Sequence, residues 1–437
     1  MKAMRARLRK WTVFATTLAL LATALSGCWG RVELENQSLA TVLGIDNGQG
    51  KRLRITARIA IPRVAAGGET GGSGGPLGGF PVTVEANNMV DAIGALQQIA
   101  GRDVTMAHLT ILVLGEEFAR QDVGPAVDVF SRMLQFRPNT LVVTCRESAE
   151  EFVQQFTPGE ETEPSVMIRK LIESTHIARG GSPFVTMQDF INAYATIGSD
   201  PWTPYMTLAS ASAEERPTNS TDLGEGIGKE EIPEEGTGRG DGGEDGKGTG
   251  DIKLVRLIGS AVYSNVDDVQ RMVGALDFHE TTGANILAGD FINTVIQMAF
   301  PESHEEVSVR CRHASIRRKV KIEANIAHVT WIIRMTAAID EVMVHKTQES
   351  LGEEFEEDVV TTAEEELGAL LNKTFLKLQS LRSDAIDLGK NVQMKFATYP
   401  EWEEYNWRER FPEAKATFDI RIHLVNSGFV YKHTYAR

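Results

Sequence analysis

Cysteine, positive charge and long apolar runs are all scarce in this chain. Cys28, Cys145 and Cys311 are its three cysteines in 437 residues. Their spacing provides no zinc or iron–sulfur ligand set. A Cys145–Cys311 bridge is open on sequence grounds, but both lie in strand-like stretches, and two buried free thiols are the expectation. Lysine and arginine number 45 against 60 acids, a formal net charge of −15. A chain this acidic does not track nucleic acid, nor does its net charge hold it on an anionic membrane. After residue 25 no apolar run approaches the roughly 20 residues that span a bilayer. Leu109–Gly115 and Trp331–Met335 are short strand cores.

Catalytic signatures are missing too. His279-Glu280 begins like a metalloprotease helix, but Gly283 stands where the second histidine is needed. Gly71-Gly72-Ser73-Gly74-Gly75 matches a nucleophile elbow in letters alone, with no strand before it and no helix after. The same tract has no Lys-Ser/Thr pair to make a phosphate loop. The nine histidines are scattered. Acid pairs such as Glu116/Glu117 and Glu353/Glu354 fit solvated faces. The expectation is a protein that is not an enzyme and has no metal or other cofactor.

What is present begins at the N-terminus. Met1–Lys10 is basic, Trp11–Leu25 is apolar, and Leu25-Ser26-Gly27-Cys28 follows. The apolar run is about 15 residues, too short to span. Basic start, short apolar core and small residues in this order describe a signal peptide over residues 1–27. The ending resembles the bacterial lipobox. Small Ser26 and Gly27 give a peptidase access, and the Cys28 thiol accepts diacylglycerol. Two or three palmitate-type chains anchor stably where one does not. Residues 1–27 hold five bases and no acid, so residues 28–437 carry −20. Lipid is therefore the evident means of membrane attachment, with the body on the extracytoplasmic side.

The period of the apolar residues lays out the rest. Residues 39–61 read as a hairpin, with Leu53, Ile55, Ala57, Ile59 and Ile61 alternating. Gly67–Gly79 reads as a loop. Asn88 caps a helix whose face carries Val90, Ile93, Leu96 and Ile99. Val104–Leu114 reads as one buried strand and Leu141–Cys145 as another. Helices are expected near Val123–Leu134, Ala149–Phe156, Val166–Ile177 and Met187–Ile197. Residues 211–251 hold 11 glycines, 12 acids and 4 bases, a composition that cannot bury enough to order itself, so a disordered linker is expected.

Beyond it, Ile252–Tyr263 reads as a strand pair, and Val273–Ala288 as a turn into a short helix. Val307–Arg312, Ile316–Ile326 and His328–Ile339 read as successive antiparallel strands. Glu353–Ser383 is a long helix with Leu367, Leu370, Leu371, Thr374, Leu378 and Leu381 on one stripe. Ala416–Val425 alternates as a closing strand. The expected fold class is α+β, with two to three domains. Each has a mostly antiparallel or mixed sheet flanked by helices. The expected boundaries are 1–27, 28–210, the 211–251 linker, 252–300 and 301–437. Arg310, Arg312, Arg317, Arg318, Lys319 and Lys321 form one basic patch. It reads as a solvated sheet face, or as a contact for lipid headgroups or an acidic partner.

Cys28-Trp29-Gly30-Arg31-Val32-Glu33-Leu34 resembles the start of the mature Ger(x)C lipoproteins, the C subunits of GerA-type nutrient germinant receptors of spores. Gly30 replaces their usual acid. Gly44-Ile45-Asp46 follows. Gly101-Arg102-Asp103 through His108, then Leu114-Gly115-Glu116-Glu117-Phe118-Ala119-Arg120, is similar to the family's next block. Met187–Tyr194, Gly259–Tyr263 and Met272-Val273-Gly274 continue the likeness. Ser383-Asp384 through Leu388-Gly389, Tyr399-Pro400-Glu401-Trp402, Trp407 and Phe411-Pro412 resemble its C-terminal signature. The Asp-Ala-Ile-Asp-Leu-Gly stretch departs from the family's usual Asp-Ile-Phe-Gly-Phe-Gly. The likeness covers nearly all of residues 26–430.

That resemblance implies a lipid-anchored subunit of a nutrient receptor at the spore inner membrane, required for triggering germination. Its partners would be an A subunit and a transporter-like B subunit, with the membrane engaged through the Cys28 acyl chains. Direct contact with the nutrient is left open. Trp29, Arg31, Glu33, Gly101, Arg102, His108, Glu116, Asp384, Gly389, Trp402 and Trp407 are the family-motif candidates for structural or partner contacts. Gly101 is expected to end a helix and His108 to be half-buried. The alternative is an extracytoplasmic solute-binding lipoprotein of a transporter, which predicts two similar lobes around a deep cleft.

Overall fold

The computed structural model describes residues 2–25, 36–60, 79–133, 136–156, 163–210, 253–267, 269–300, 305–344 and 353–426. The first segment is a helix, α1 (Lys2–Leu25). No described helix is long and apolar enough to cross a membrane. The Gly67–Gly78 tract, the 211–251 stretch and Cys28, Trp29, Arg31 and Glu33 lie outside the described residues.

The first sheet starts with the expected hairpin, β1 (Gln37–Asn47) and β2 (Leu53–Ala60), paired from Asn47↔Leu53 to Leu39↔Ala60. The antiparallel strand β3 (Phe80–Ala86) adds to β2. Helix α2 (Met89–Ala100) then crosses back, capped by the Asn88 side chain on Asp91 N and closed by Gly101 at φ 65°.

The single strand expected over Val104–Leu114 is two: β4 (Asp103–Thr105) and β5 (Ile111–Gly115), both parallel to β1. A bulge in β1 between Ala40 and Val42 sets the break, and Thr110 N donates to the Thr41 carbonyl at 3.0 Å. After α3 (Glu116–Ala119) and α4 (Gly124–Arg132) comes β6 (Leu141–Cys145). Both β5 and β6 are buried at every residue, as unbroken apolar runs in parallel strands require. Helices α5 (Ala149–Gln155), α6 (Pro164–Arg179) and α7 (Met187–Ala195) lead to β7 (Trp202–Ser210).

The sheet continues past residues 211–251. Strand β8 (Lys253–Val266) pairs antiparallel with β7 on one side and with β9 (Val269–Leu276) on the other. The strand pair expected over 252–263 is thus one strand. Its glycine is absorbed as an irregularity, Gly259 at φ 137°, rather than as a turn. The nine-stranded sheet has the order β3-β2-β1-β5-β6-β7-β8-β9, with β4 beside β1. One face carries a core built with α2, α4 and α7, including Leu96, Phe130 and Phe190. The other packs α5 and α6 through Phe152, Ile168 and Ile172.

Helix α8 (Phe278–Ala288) opens on a reciprocal cap, Asp277 with Glu280, and leads to the second sheet. This sheet runs β10 (Asn293–Phe300), β11 (Glu305–Glu323), β12 (Ile326–Val344) and β13 (Lys415–Asn426). The two strands expected within 307–326 are one strand. It is bent between Arg312 and Ser315, where His313 takes φ 51°. β13 adds parallel to β12.

The long helix α9 (Glu353–Ser380) covers one face. Val359, Ala363, Leu367, Leu371, Phe375 and Leu378 meet Val309, Cys311, Val329, Trp331 and Ile333 there. Gly283 on α8 lets α9 approach, since a Cβ on it would stand 2.4 Å from the Thr374 hydroxyl. The short helices α10 (Leu388–Gln393), α11 (Tyr399–Tyr405) and α12 (Trp407–Arg410) lie between α9 and β13. The whole is a mixed α/β protein with two helix-flanked sheets, as expected. Both described cysteines are free and buried, Cys145 and Cys311 in separate cores.

Candidate functional site

The C-terminal motif residues converge on one buried carboxylate. Asp384 lies in the turn after α9, fully enclosed between the two sheets. Its Oδ1 accepts from Leu388 N at 2.8 Å. Its Oδ2 accepts from Gly389 N at 2.6 Å and Trp407 Nε1 at 2.8 Å. The carboxylate thus folds α10 and α12 around itself. Its own backbone reaches the first half of the chain. Asp384 N donates to Asp200 Oδ2 at 2.8 Å, and Asp200 N donates to the Asp384 carbonyl at 3.1 Å.

Burial dominates the electrostatics here. It pushes Asp384 up to about 7, against the three hydrogen bonds that favour its charge. Asp200 is pushed to about 6 by burial, opposed by Arg408, whose Nη2 lies 3.6 Å from its Oδ1. That oxygen is buried without a hydrogen-bond partner. Gly198, Ser199, Asp200, Arg382 and Asp384 border a cavity of about 10 Å³ there, room for a water molecule. Ser199 Oγ donates to Asp387, which holds φ 58°.

Gly389 has its place explained by geometry. A Cβ on it would fall 2.4 Å from the Gly198 Cα and 2.6 Å from Trp407 Nε1. Trp402 stacks beside Trp407, ring centroids 6.5 Å apart, and closes over Gly198. The turn is also tied to β8. Ser383 Oγ donates to the Tyr263 carbonyl at 2.6 Å, and Ser264 Oγ to the Arg382 carbonyl at 2.7 Å. Arg318, expected in an exposed patch, instead points inward from β11. It donates to the carbonyls of Ile386 at 3.0 Å and Ala288, and to Asn391 Oδ1 at 2.8 Å. Residue parity decides this, because 318 falls on the strand face opposite Arg317 and Lys319.

The N-terminal motif residues are dispersed. Gly101 caps α2, donating to the Gln97 carbonyl at 3.0 Å. Arg102 and His108 are exposed, so His108 is not the half-buried residue expected. It sits in the turn between β4 and β5 and faces solvent, while Met106 and Leu109 on either side of it are buried. Glu116 opens α3, accepting from Arg120 Nε at 2.9 Å and from the Tyr205 hydroxyl. Asp46 receives Ala149 N at 2.7 Å and Glu150 N at 2.8 Å, and so caps α5. Asp200, Gly198 and Arg318 are not legible in the motif blocks. A buried acid and a glycine at φ 90° look like ordinary loop residues until their partners, some 190 positions away, are in place.

Two family models match the chain. The spore germination protein N-terminal domain covers residues 30–208, and the spore germination B3/GerAC-like C-terminal domain covers 259–428. The chain belongs to the spore germination GerAC family. Within that family, spore germination protein KC of Bacillus subtilis (strain 168) is 23% identical over 437 residues, 95% of this chain and 96% of that protein. Spore germination protein B3 of the same organism is 22% identical over 95% of this chain and 98% of its own length. A further relative, YfkR, is 29% identical over 205 residues, 46% of this chain and 51% of its own. The crystal structure of the GerBC protein has the same fold, with a TM-score of 0.50 at 15% identity, covering 88% of this chain and 97% of that one. The family expectation drawn from the motif blocks is met, and a role in spore germination follows.

Proposed function

We propose that this chain is the lipid-anchored C subunit of a nutrient germinant receptor. It acts on the extracytoplasmic face of the spore inner membrane with A and B subunits. The observation that carries this reading is the Leu25-Ser26-Gly27-Cys28 lipobox standing directly before a germination-family match that runs nearly the length of the chain. Acyl chains on Cys28 hold the body beside membrane partners and raise its effective concentration there. Residues 1–27 are then a cleaved signal, and residues 211–251 a linker between β7 and β8. The Asp384 junction ties the two sheets, so a partner docked on one loads the other. The role is structural and signalling, with no reaction assigned.

Cys28→Ala in spores tests it. The expected result is loss of the protein from the membrane fraction, slowed nutrient-triggered germination, and loss of A and B subunits from its co-purification. A Cys28→Ala protein that stays in the membrane and functions would overturn the anchor. Normal nutrient germination after gene deletion, where no second copy exists, would overturn the receptor role.

A further inference from the structure

The outer face of the second sheet is a basic surface on an acidic protein. The register of β11, β12 and β13 assembles it in rows. Lys321 lies opposite His328, which lies opposite Lys415. Lys319 heads the next row with Thr330 and Thr417, and Arg317 the next with Ile332 and Asp419. Arg334 and Arg421 close the array. Arg317, Lys319, Lys321, Lys415 and Arg421 are all exposed, while Val320, Ala416, Phe418, Ile420 and Ile422, on the opposite face, belong to the core with α9. Asp419 is the carboxylate within these rows, held by Arg334 at 2.8 Å, and Glu364 from α9 reaches Arg421 at 3.7 Å. Among the described residues, Arg317, Lys319, Lys321 and Lys415 have no ion pair. A structural sheet face in a chain of net charge −15 does not need this concentration of one sign.

We propose that this face lies against an anionic lipid surface. Its shape and chemistry favour headgroups over a protein partner. Three paired strands make an open platform about 10 Å wide. Ile332 is its half-buried apolar residue, and it offers no aromatic anchor of the kind that carries protein interfaces. Dispersed cations gain most from a surface potential, which falls off within a Debye length of about 8 Å at physiological salt. Exposed Glu323, two residues or about 7 Å along β11 from Lys321, marks the end of the basic face. The net charge opposes binding through other faces and leaves this one as the preferred orientation. The inference goes beyond the acyl anchor and does not require it.

The test uses residues 28–437 carrying Cys28→Ala, so that neither an acyl chain nor the basic and apolar residues 1–27 contribute. Its binding is compared on vesicles of phosphatidylcholine and on vesicles of phosphatidylcholine and phosphatidylglycerol in equal parts. The same chain with Arg317→Gln, Lys319→Gln and Lys321→Gln is measured beside it. The expected result is tighter binding to the anionic vesicles, lost on the order of 100-fold in the triple variant. Binding to phosphatidylcholine should not change. Glu at the same three positions should lower anionic binding further, with the melting temperature of both variants unchanged. Equal binding of parent and triple variant to anionic vesicles would overturn the proposal. So would crosslinks from Lys319 and Lys321 to an acidic protein in spore membranes when the parent shows no lipid preference.

Discussion

Gly198 and Gly389 touch backbone to backbone, from segments on opposite sides of the β8–β9 and α8–α9 region. A Cβ on Gly389 would stand 2.4 Å from the Gly198 Cα, and one on Gly198 would stand 3.0 Å from the Gly389 Cα. Gly198 also holds φ 90°, where an L side chain is strained. Either Gly→Ala substitution should therefore cost about 3 kcal/mol or more, because backbone cannot move aside as a flexible side chain can. Gly94, inside α2 with nothing within 4 Å of its Cβ position, is the control. Gly94→Ala should stabilise by about 0.5–1 kcal/mol. Thermal melts of the three variants check this, and a benign Gly389→Ala would refute the contact.

The two neighbouring tryptophans should answer differently to the same substitution. Trp407 Nε1 donates to the buried Asp384, whereas Trp402 Nε1 is buried with no partner. Trp407→Phe removes a hydrogen bond to a buried carboxylate and should cost roughly 1.5–3 kcal/mol beyond lost packing. Trp402→Phe removes a donor that satisfies nothing and should cost packing alone. Urea unfolding of each variant gives the comparison.

Asp384 and Asp200 should make stability depend on pH. Burial raises them to about 7 and about 6 in the fold, from 3.8 in an unfolded chain. Between pH about 4 and about 7 the native state therefore holds protons that the unfolded chain has released. Stability from this pair is greatest at the acid end of that window and falls as pH rises through it. The melting temperature of the wild type relative to Asp384→Asn should thus be more favourable at pH 5 than at pH 8. A difference independent of pH would show that Asp384 is ionised throughout.

Both described thiols should be inert in the folded protein. Burial pushes Cys311 up to about 12 and Cys145 well above the ordinary thiol range. In a Cys28→Ala chain at pH 8, a maleimide should label neither residue until denaturant is added. Intact-mass measurement reads this directly. Rapid labelling of Cys145 before unfolding would contradict its place beneath α5.

The sequence by itself determined the local elements and the family. Period-two alternation found β2 and β13, the apolar stripe of Leu367, Leu371 and Leu378 found α9, and motif order from Cys28 to Trp407 named the family. These signals are carried by near neighbours in the chain, which is why they are legible. Irregularities were not. The bulge at Thr41 split one expected strand, and the glycine bulge at Gly259 fused an expected pair, because a neighbouring strand decides whether a break is absorbed.

The site shows the same division. Asp384, Gly389, Trp402 and Trp407 were legible as motif residues, but their common purpose was not. Asp200 and Gly198 come from before residue 211, and Arg318 comes from a strand whose side-chain parity turns it away from its basic neighbours. A buried charge has meaning through the donors around it, and those donors arrive from distant segments once the two sheets pack.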